Sequence, residues 1–147
     1  MVSTRKYLPL TMQTLTIANA LSTGKIRIVA SGVDSVNQDF LWTTANIIPP
    51  GFESVCVKNG WNTHRTWKQL NSDRPWLRGT KNDAYVYLNS MDDKWWIDKP
   101  DGNGVFIASK RQQGKLFLDA PPKTGWEALS PSYNPTPSIE IFSAEDK

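Results

Sequence analysis

The chain has 147 residues and a net charge of +3, which suits a single domain over residues 1–147 with its own hydrophobic core. This weak positive charge does not by itself indicate a nucleic-acid-binding protein. Cys56 is the only cysteine, which excludes an internal disulfide and favours an intracellular protein over a secreted one, and no apolar run reaches the roughly 20 residues of a membrane span.

The N-terminal part of the chain is ambiguous, and the segments that follow it alternate between apolar and polar residues. Residues 1–12 are expected to form an arm, and the residues that follow, as far as Gly24, fit either a strand or a short N-terminal helix. The alternating segments "KIRIVAS", "DFLWTT" and "FESVCVK" each predict a strand. The intervening "NIIPPG" and "NGWN" predict turns, because Pro, Gly and Asn interrupt regular elements.

The rest of the chain is a series of short apolar segments separated by turn residues. Strands are expected near 64–70, 75–78, 84–88, 94–98, 104–109, 115–118, 125–129 and 138–143. No long amphipathic helix is expected after residue 24. Many short strands at close spacing are typical of a compact antiparallel sandwich or barrel, so the predicted fold class is all-β.

The segment "KWWIDK" places two tryptophans next to each other on a predicted strand. Adjacent residues of a strand point to opposite faces of the sheet, so one tryptophan serves each face. One face is expected to hold an aliphatic set with one tryptophan: Val86, Leu88, Trp95, Ile97, Val105 and Ile107. The other face is expected to hold an aromatic stripe: Tyr85, Tyr87, Trp96 and Phe106. The stripe is either covered by the N-terminal segment or a second sheet, or exposed to bind a protein, a sugar or a base.

Cations interleaved with tryptophans give an alternative binding site. This predicted basic patch consists of Arg65, Lys68, Arg78, Lys110 and Arg111. Cations beside aromatic rings are able to follow a single nucleic-acid strand by charge and stacking. The same pattern is typical of a solvated surface above core tryptophans, so nucleic acid is not the favoured partner.

The sequence contains no motif that predicts catalysis or a cofactor. Cys56 and His64, the sole histidine, are too few ligands for a structural zinc site. As a nucleophile pair they are disfavoured, because a cysteine in a strand pattern is usually buried. The acidic residues from Asp92 to Asp101 lack the spacing of a calcium loop. We therefore expect no enzyme activity, no metal and no cofactor.

Three segments of the chain resemble a Trp-rich β-module found in varied eukaryotic proteins: "VKNGWN", "RPWLRGTKNDAYVYLNSMDDKWWIDKP" and "PPKTGW…NPTPSIEI". The shared pattern is Asn-Gly-aromatic, a strand ladder with Trp-Trp, Pro-Pro-x-x-Gly-Trp and a closing Pro-x-Pro strand, over about residues 53–142. The chain departs from it at "NGWN", where a Tyr is usual, and in its unmatched first 50 residues. The resemblance implies a binding or scaffold role and no reaction.

The sequence therefore predicts a non-enzymatic protein-interaction or structural module, part of a larger assembly with a protein partner. The first alternative is a carbohydrate-binding domain that stacks a glycan on exposed Trp and Tyr side chains. The second alternative is a binder of single-stranded nucleic acid.

Overall fold

The computed structural model describes residues 24–110 and 120–142, which form eight strands, two α-helices and two short 3-10 turns. The strands are β1 (Lys25–Val29), β2 (Asp39–Thr43), β3 (Trp76–Gly79), β4 (Tyr85–Asn89), β5 (Lys94–Asp98), β6 (Gly104–Ser109), β7 (Glu127–Ala128) and β8 (Ser138–Phe142). The helices, α1 (Pro50–Asn59) and α2 (Thr63–Asn71), lie between β2 and β3 in the chain. The predicted arm at 1–12, the alternative N-terminal helix and the strand near 115–118 lie outside the described residues.

The strands form one antiparallel sheet in the order β7-β6-β5-β4-β3-β2-β1-β8, which curls into a half-barrel. The last strand, β8, pairs with β1 at the edge opposite β7. The backbone N–H of Ile139 in β8 also donates to the carbonyl oxygen of Lys123 at 3.2 Å, so the segment before β7 contacts the opposite edge of the sheet. The all-β prediction is confirmed, in the form of a barrel that is only partly closed.

The inside of the curl holds the larger hydrophobic core. Residues from both edges of the sheet meet in it, which identifies this face as the inner one. The buried members include Ile26, Ile28, Phe40, Leu77, Val86, Leu88, Trp95, Ile97, Val105, Phe106, Trp126 and Ile139. Trp126 follows a Pro-Pro turn in the sequence, which predicts a buried aromatic side chain. It is 5% exposed and its indole N–H donates to the carbonyl oxygen of Pro122 at 2.8 Å, so this prediction is confirmed.

The predicted strands of the second half agree with the structure where alternation is clear. The predictions at 94–98 and 104–109 coincide with β5 and β6, and those at 75–78 and 84–88 are shifted by one residue from β3 and β4. The strand predicted at 125–129 is present only as the two residues of β7. These strands are bounded by turn residues on both sides, which is why their positions are readable from sequence.

Two strand predictions are wrong: "FESVCVK" lies in α1, and the segment near 64–70 lies in α2. In α1 the buried side chains are Phe52 and Cys56, which lie four residues apart. Residues at this spacing share one face in a helix and also in a strand, so the spacing does not distinguish the two. Pro50 at the first helical position and the left-handed Gly60 after the last turn favour the helix. Asn62 caps the start of α2, because its side chain accepts a hydrogen bond from the backbone N–H of Arg65 at 2.9 Å.

Candidate functional site

The predicted aromatic stripe divides between the two faces of the sheet. Tyr85, Tyr87 and Trp96 share the outer face, where Tyr87 is the neighbour of Trp96 across β4 and β5. Phe106 lies in the inner core, so its assignment to the stripe is wrong. The cause is a β-bulge, because Asp98 pairs with Gly104 while Ile97 pairs with Phe106, which leaves Val105 as an extra residue.

The same bulge moves Ile107 to the outer face. Ile107 pairs with Trp96, and it is only partly buried. Its assignment to the aliphatic set on the inner face is therefore wrong. Trp95, by contrast, lies in the inner core as expected, so the two adjacent tryptophans do serve opposite faces.

The helices α1 and α2 form a layer that covers the outer face and packs on the two tyrosines. Tyr85 and Tyr87 are 1% and 6% exposed, beneath α1 and α2. The ring centroids of Trp67 from α2 lie 5.6 Å from those of Tyr87 and 5.8 Å from those of Trp76. Phe52 from α1 packs 5.0 Å from Trp67. Tyr85 and Tyr87 are therefore core residues and not an exposed platform.

The indole groups of this outer aromatic cluster fix the loop between β2 and α1. Trp76 donates its N–H to the carbonyl oxygens of Thr44 and Ile47, at 3.1 and 2.9 Å. Trp67 donates to the carbonyl oxygen of Ala45 at 3.0 Å. Buried indole groups need such partners, and here they bind the start of the helical layer to the sheet. Trp96 lies at the margin, partly buried, with its indole N–H bonded to Asp92 at 2.9 Å.

A carboxyl group is buried at the end of β5, on the same face as this cluster. Asp98 is 5% exposed, and its Oδ1 atom has no hydrogen-bond partner. Burial raises the pKa of Asp98 to about 7, with a smaller contribution from the negative charge of Asp101, against a hydrogen bond with Tyr85 that lowers it. Perturbed, buried carboxyl groups of this kind often mark functional positions.

The backbone of the turn that follows Asp98 lies in close contact with the N-terminal end of α1. A Cβ atom added at Gly51 would lie 2.4 Å from the carbonyl oxygen of Pro100. A Cβ atom added at Gly102, where φ is +91°, would lie 2.3 Å from the carbonyl oxygen of Gly51. A groove of about 420 Å³ runs along this seam and is lined by Ser54, Val55, Lys58, Asn59, Asp101 and Asn103.

The outward side of the helical layer exposes apolar side chains among cations. Val57 and Trp61 are 69% and 53% exposed. Lys58 of α1 and Arg65 and Lys68 of α2 are exposed as well. Among residues 24–110 and 120–142, no ion pair involves these three cations. The only acidic residue between Pro50 and Asn71 is Glu53. We call Val57, Lys58, Trp61, Arg65 and Lys68 the helical face.

The predicted basic patch is only partly assembled. Arg65 and Lys68 lie three residues apart on the exposed side of α2, within the helical face. Arg78 lies on β3 and pairs with Asp83 at 3.0 Å. Lys110 follows β6, where its backbone N–H bonds to the carbonyl oxygen of Asp93 at 3.1 Å. Arg111 lies outside the described residues.

A second groove, of about 440 Å³, lies between the β1–β2 and β3–β4 loops, and the carboxylate of Asp39 in its lining is paired with two cations. Asp39 accepts from Arg27 at 2.7 Å and from Lys25 at 3.1 Å, and the hydrogen bond from Arg27 keeps the pKa of Asp39 below its usual value. The side-chain amide of buried Gln38 holds the two loops together through Asn82.

Cys56 and His64 occupy different environments. The Cys56 thiol is buried, and burial raises its pKa. His64 is exposed on α2. Within the part of the chain that the structure describes, no three or more His, Cys, Asp or Glu side chains are grouped as they would be around a metal ion.

The comparisons with known proteins returned no relative. No family model, no curated protein and no solved structure matches this chain. The resemblance to a Trp-rich eukaryotic β-module stays a prediction. In the described residues, no helix has the length and apolar character required to cross a membrane.

The sequence does not predict that Val57 and Trp61 are exposed together on the helical face. The strand prediction for "FESVCVK" places Val57 on one strand face with Glu53 and Val55, opposite Phe52 and Cys56. The helix boundaries are the signal that locates both residues. Pro50 and Gly60 bound α1, and Asn62 caps the start of α2. With α1 in place, Val57 falls on the side opposite the buried positions, and Trp61 follows it four residues later.

Proposed function

We propose that this chain is a non-enzymatic protein-interaction module that binds its partner through the helical face. The observation that carries the proposal is the exposure of Trp61 and Val57 among three cations without ion pairs. Tryptophan and arginine are the side chains most often found at the energetic centre of protein interfaces. The aromatic cluster beneath supports the proposal, because it packs both helices against the sheet.

The chemistry of this face indicates an acidic protein segment as the partner. Lys58, Arg65 and Lys68 favour carboxylates by charge complementarity, while Val57 and Trp61 favour an apolar side chain between those carboxylates. Binding should therefore weaken as salt concentration rises, since exposed charges are screened. The carbohydrate-binding alternative loses its main support, because Tyr85 and Tyr87 are buried.

The proposal is tested by selecting peptides from a random phage-displayed library on the wild-type chain and comparing their binding to the wild type and to the Trp61→Ala variant. We expect the selected peptides to combine Asp or Glu with an apolar residue. Their dissociation constants, measured by calorimetry, should rise about tenfold or more for Trp61→Ala, as for an interface hot spot. The matched control is Met91→Ala, which removes an apolar side chain that is 64% exposed on the β4–β5 turn and should leave the affinity unchanged.

Two results would contradict the proposal. One is a selection that yields no acidic sequences, or peptides that bind Trp61→Ala as well as the wild type. The other is tight, salt-sensitive binding of a single-stranded thymidine oligonucleotide that needs Trp61, which would assign the helical face to nucleic acid.

A further inference from the structure

We propose that Asp98 is a pH-dependent switch that holds α1 on the sheet when its carboxyl group is protonated and releases α1 when it is ionised. The effect on partner binding rests on the proposed function, because α1 carries Val57 and Lys58 of the helical face. The release itself is independent of any partner.

The geometry places Asp98 at the junction between the sheet and α1. It follows Trp96 by two residues on β5, so its side chain lies on the outer face that the helices cover. Two residues later the chain reaches Pro100, whose carbonyl oxygen lies against Gly51 in the first turn of α1. Asp98 Oδ1 itself faces Gly104, where an added Cβ atom would lie 3.3 Å away. The carboxyl group thus lies at the start of the turn whose backbone contacts α1.

The groups around Asp98 provide no positive charge to balance an ionised carboxylate. From β4, Tyr85 and Tyr87 face it, and burial raises the pKa of both phenols, so both stay neutral. From the following turn, Asp101 adds a negative charge, and the ammonium group of Lys99 pairs with Asp101 at 3.9 Å. From α1 the ionisable groups of the cluster are the buried Cys56 and, near that thiol, Glu53. On β6, residues Gly104–Ser109 contain no ionisable side chain.

An ionised, buried carboxylate without a counter-charge is strongly unfavourable, whereas the protonated form carries no charge. The hydrogen bond from Tyr85 favours the ionised form, but the cost of burial outweighs it. Exposure to water removes this penalty. A groove runs along the seam between α1 and the β5–β6 turn and is lined on the turn side by Asp101 and Asn103. Separation of α1 from the turn at Gly51 and Gly102 would extend that groove toward Asp98, so ionisation favours the separated state.

The sign of the pH dependence follows from the raised pKa. In the closed state the pKa of Asp98 is about 7, and in an open, hydrated state it returns toward the ordinary value of 3.8. The closed state therefore binds the proton more tightly, is fully stabilised below the ordinary pKa of 3.8, and loses this stabilisation progressively as the pH rises from there through about 7.

The test is amide hydrogen exchange, expressed as protection factors so that the intrinsic effect of pH is removed. Between about pH 5.5 and about pH 8.5, protection in α1 of the wild type should fall on the order of tenfold or more. In Asp98→Asn, which keeps the shape of the protonated carboxyl group, protection in α1 should not change with pH. The matched control Asp34→Asn, at an exposed aspartate of the β1–β2 loop, should behave as the wild type.

A second variant keeps the test decisive if Asp98→Asn folds poorly. Tyr85→Phe removes the hydrogen bond that lowers the pKa of Asp98, so the loss of α1 protection should move to higher pH. The switch is overturned by a pH-independent wild type, by the same pH response in Asp98→Asn, or by a loss of protection spread evenly over β3 to β6.

The consequence for the helical face is measured with the phage-selected peptide at the same two pH values. Its affinity should fall about tenfold or more in alkali for the wild type and stay constant for Asp98→Asn. If the exchange result holds and no peptide binds at either pH, the switch stands and the proposed function fails. If peptide binds with the same affinity at both pH values while α1 protection falls, the link between switch and binding is overturned.

Discussion

At the scale of single residues, the seven tryptophans of the chain have different roles that their sequence neighbours do not reveal. Trp126 fills the inner core, Trp76 and Trp67 bind the β2–α1 loop through their indole groups, and Trp61 is exposed. The sequence identified Trp126 as buried because it follows a Pro-Pro turn. It did not separate Trp61 from the core tryptophans, because that distinction depends on which side of a short helix faces the sheet.

Trp126 and Trp61 provide a matched pair for a stability test. Trp126→Ala removes a buried ring and its hydrogen bond to Pro122, so we expect a loss of about 3–5 kcal/mol in the free energy of unfolding. Trp61→Ala removes a ring that is 53% exposed and should change stability by less than about 0.5 kcal/mol. Both values come from urea denaturation followed by circular dichroism. Equal losses for the two variants would show that Trp61 is part of the folded core, which would also remove the basis of the helical face.

At the scale of elements, the sequence predicts strands well and the two helices poorly. β5 and β6 lie where alternation and flanking turn residues place them. The helices are short, at 10 and 9 residues, so each presents only one pair of buried side chains at a spacing of four, which fits either period. Tertiary packing decides between them, since the aromatic residues of the outer face need a cover. The bulge at Asp98 is likewise invisible in sequence, and it reverses the faces of Phe106 and Ile107.

The contact between α1 and the β5–β6 turn is tested by two glycine substitutions with the same backbone requirement. Gly60 and Gly102 both have positive φ, +73° and +91°, so alanine at either position costs about 1 kcal/mol in backbone strain. Gly60 has open space around it, whereas a Cβ atom at Gly102 would lie 2.3 Å from the carbonyl oxygen of Gly51. Gly102→Ala should therefore be less stable than Gly60→Ala by a further 1–3 kcal/mol or so, as in overpacked sites. Thermal unfolding of both variants measures the difference, and similar melting temperatures would mean that α1 is not seated closely on this turn.

At the scale of the whole molecule, the sheet is shared by two cores, a larger one of aliphatic and aromatic side chains inside the curl and the aromatic one beneath the helices. β3, β4 and β5 contribute alternate side chains to both, so Leu77 and Trp76 are neighbours in sequence but belong to different cores. The sequence indicates two buried faces through the Trp95–Trp96 pair. It does not indicate that β8 returns to β1, because that pairing joins segments more than 100 residues apart and depends on the curl of the whole sheet.

Because these strands belong to both cores, the described part of the chain should unfold as one cooperative unit in acid. At about pH 5.5, where Asp98 is protonated, far-ultraviolet circular dichroism, which follows the sheet and helices, and tryptophan fluorescence, which follows both aromatic environments, should give coincident urea transitions. The physical reason is that the loss of either core exposes one face of β4, whose five residues are all buried. Exposing either face would lose the burial of its large side chains, Tyr85 and Tyr87 on the outer face and Val86 and Leu88 on the inner face. Transitions whose midpoints differ between the two probes at this pH would show that the helical layer and the curled sheet fold separately.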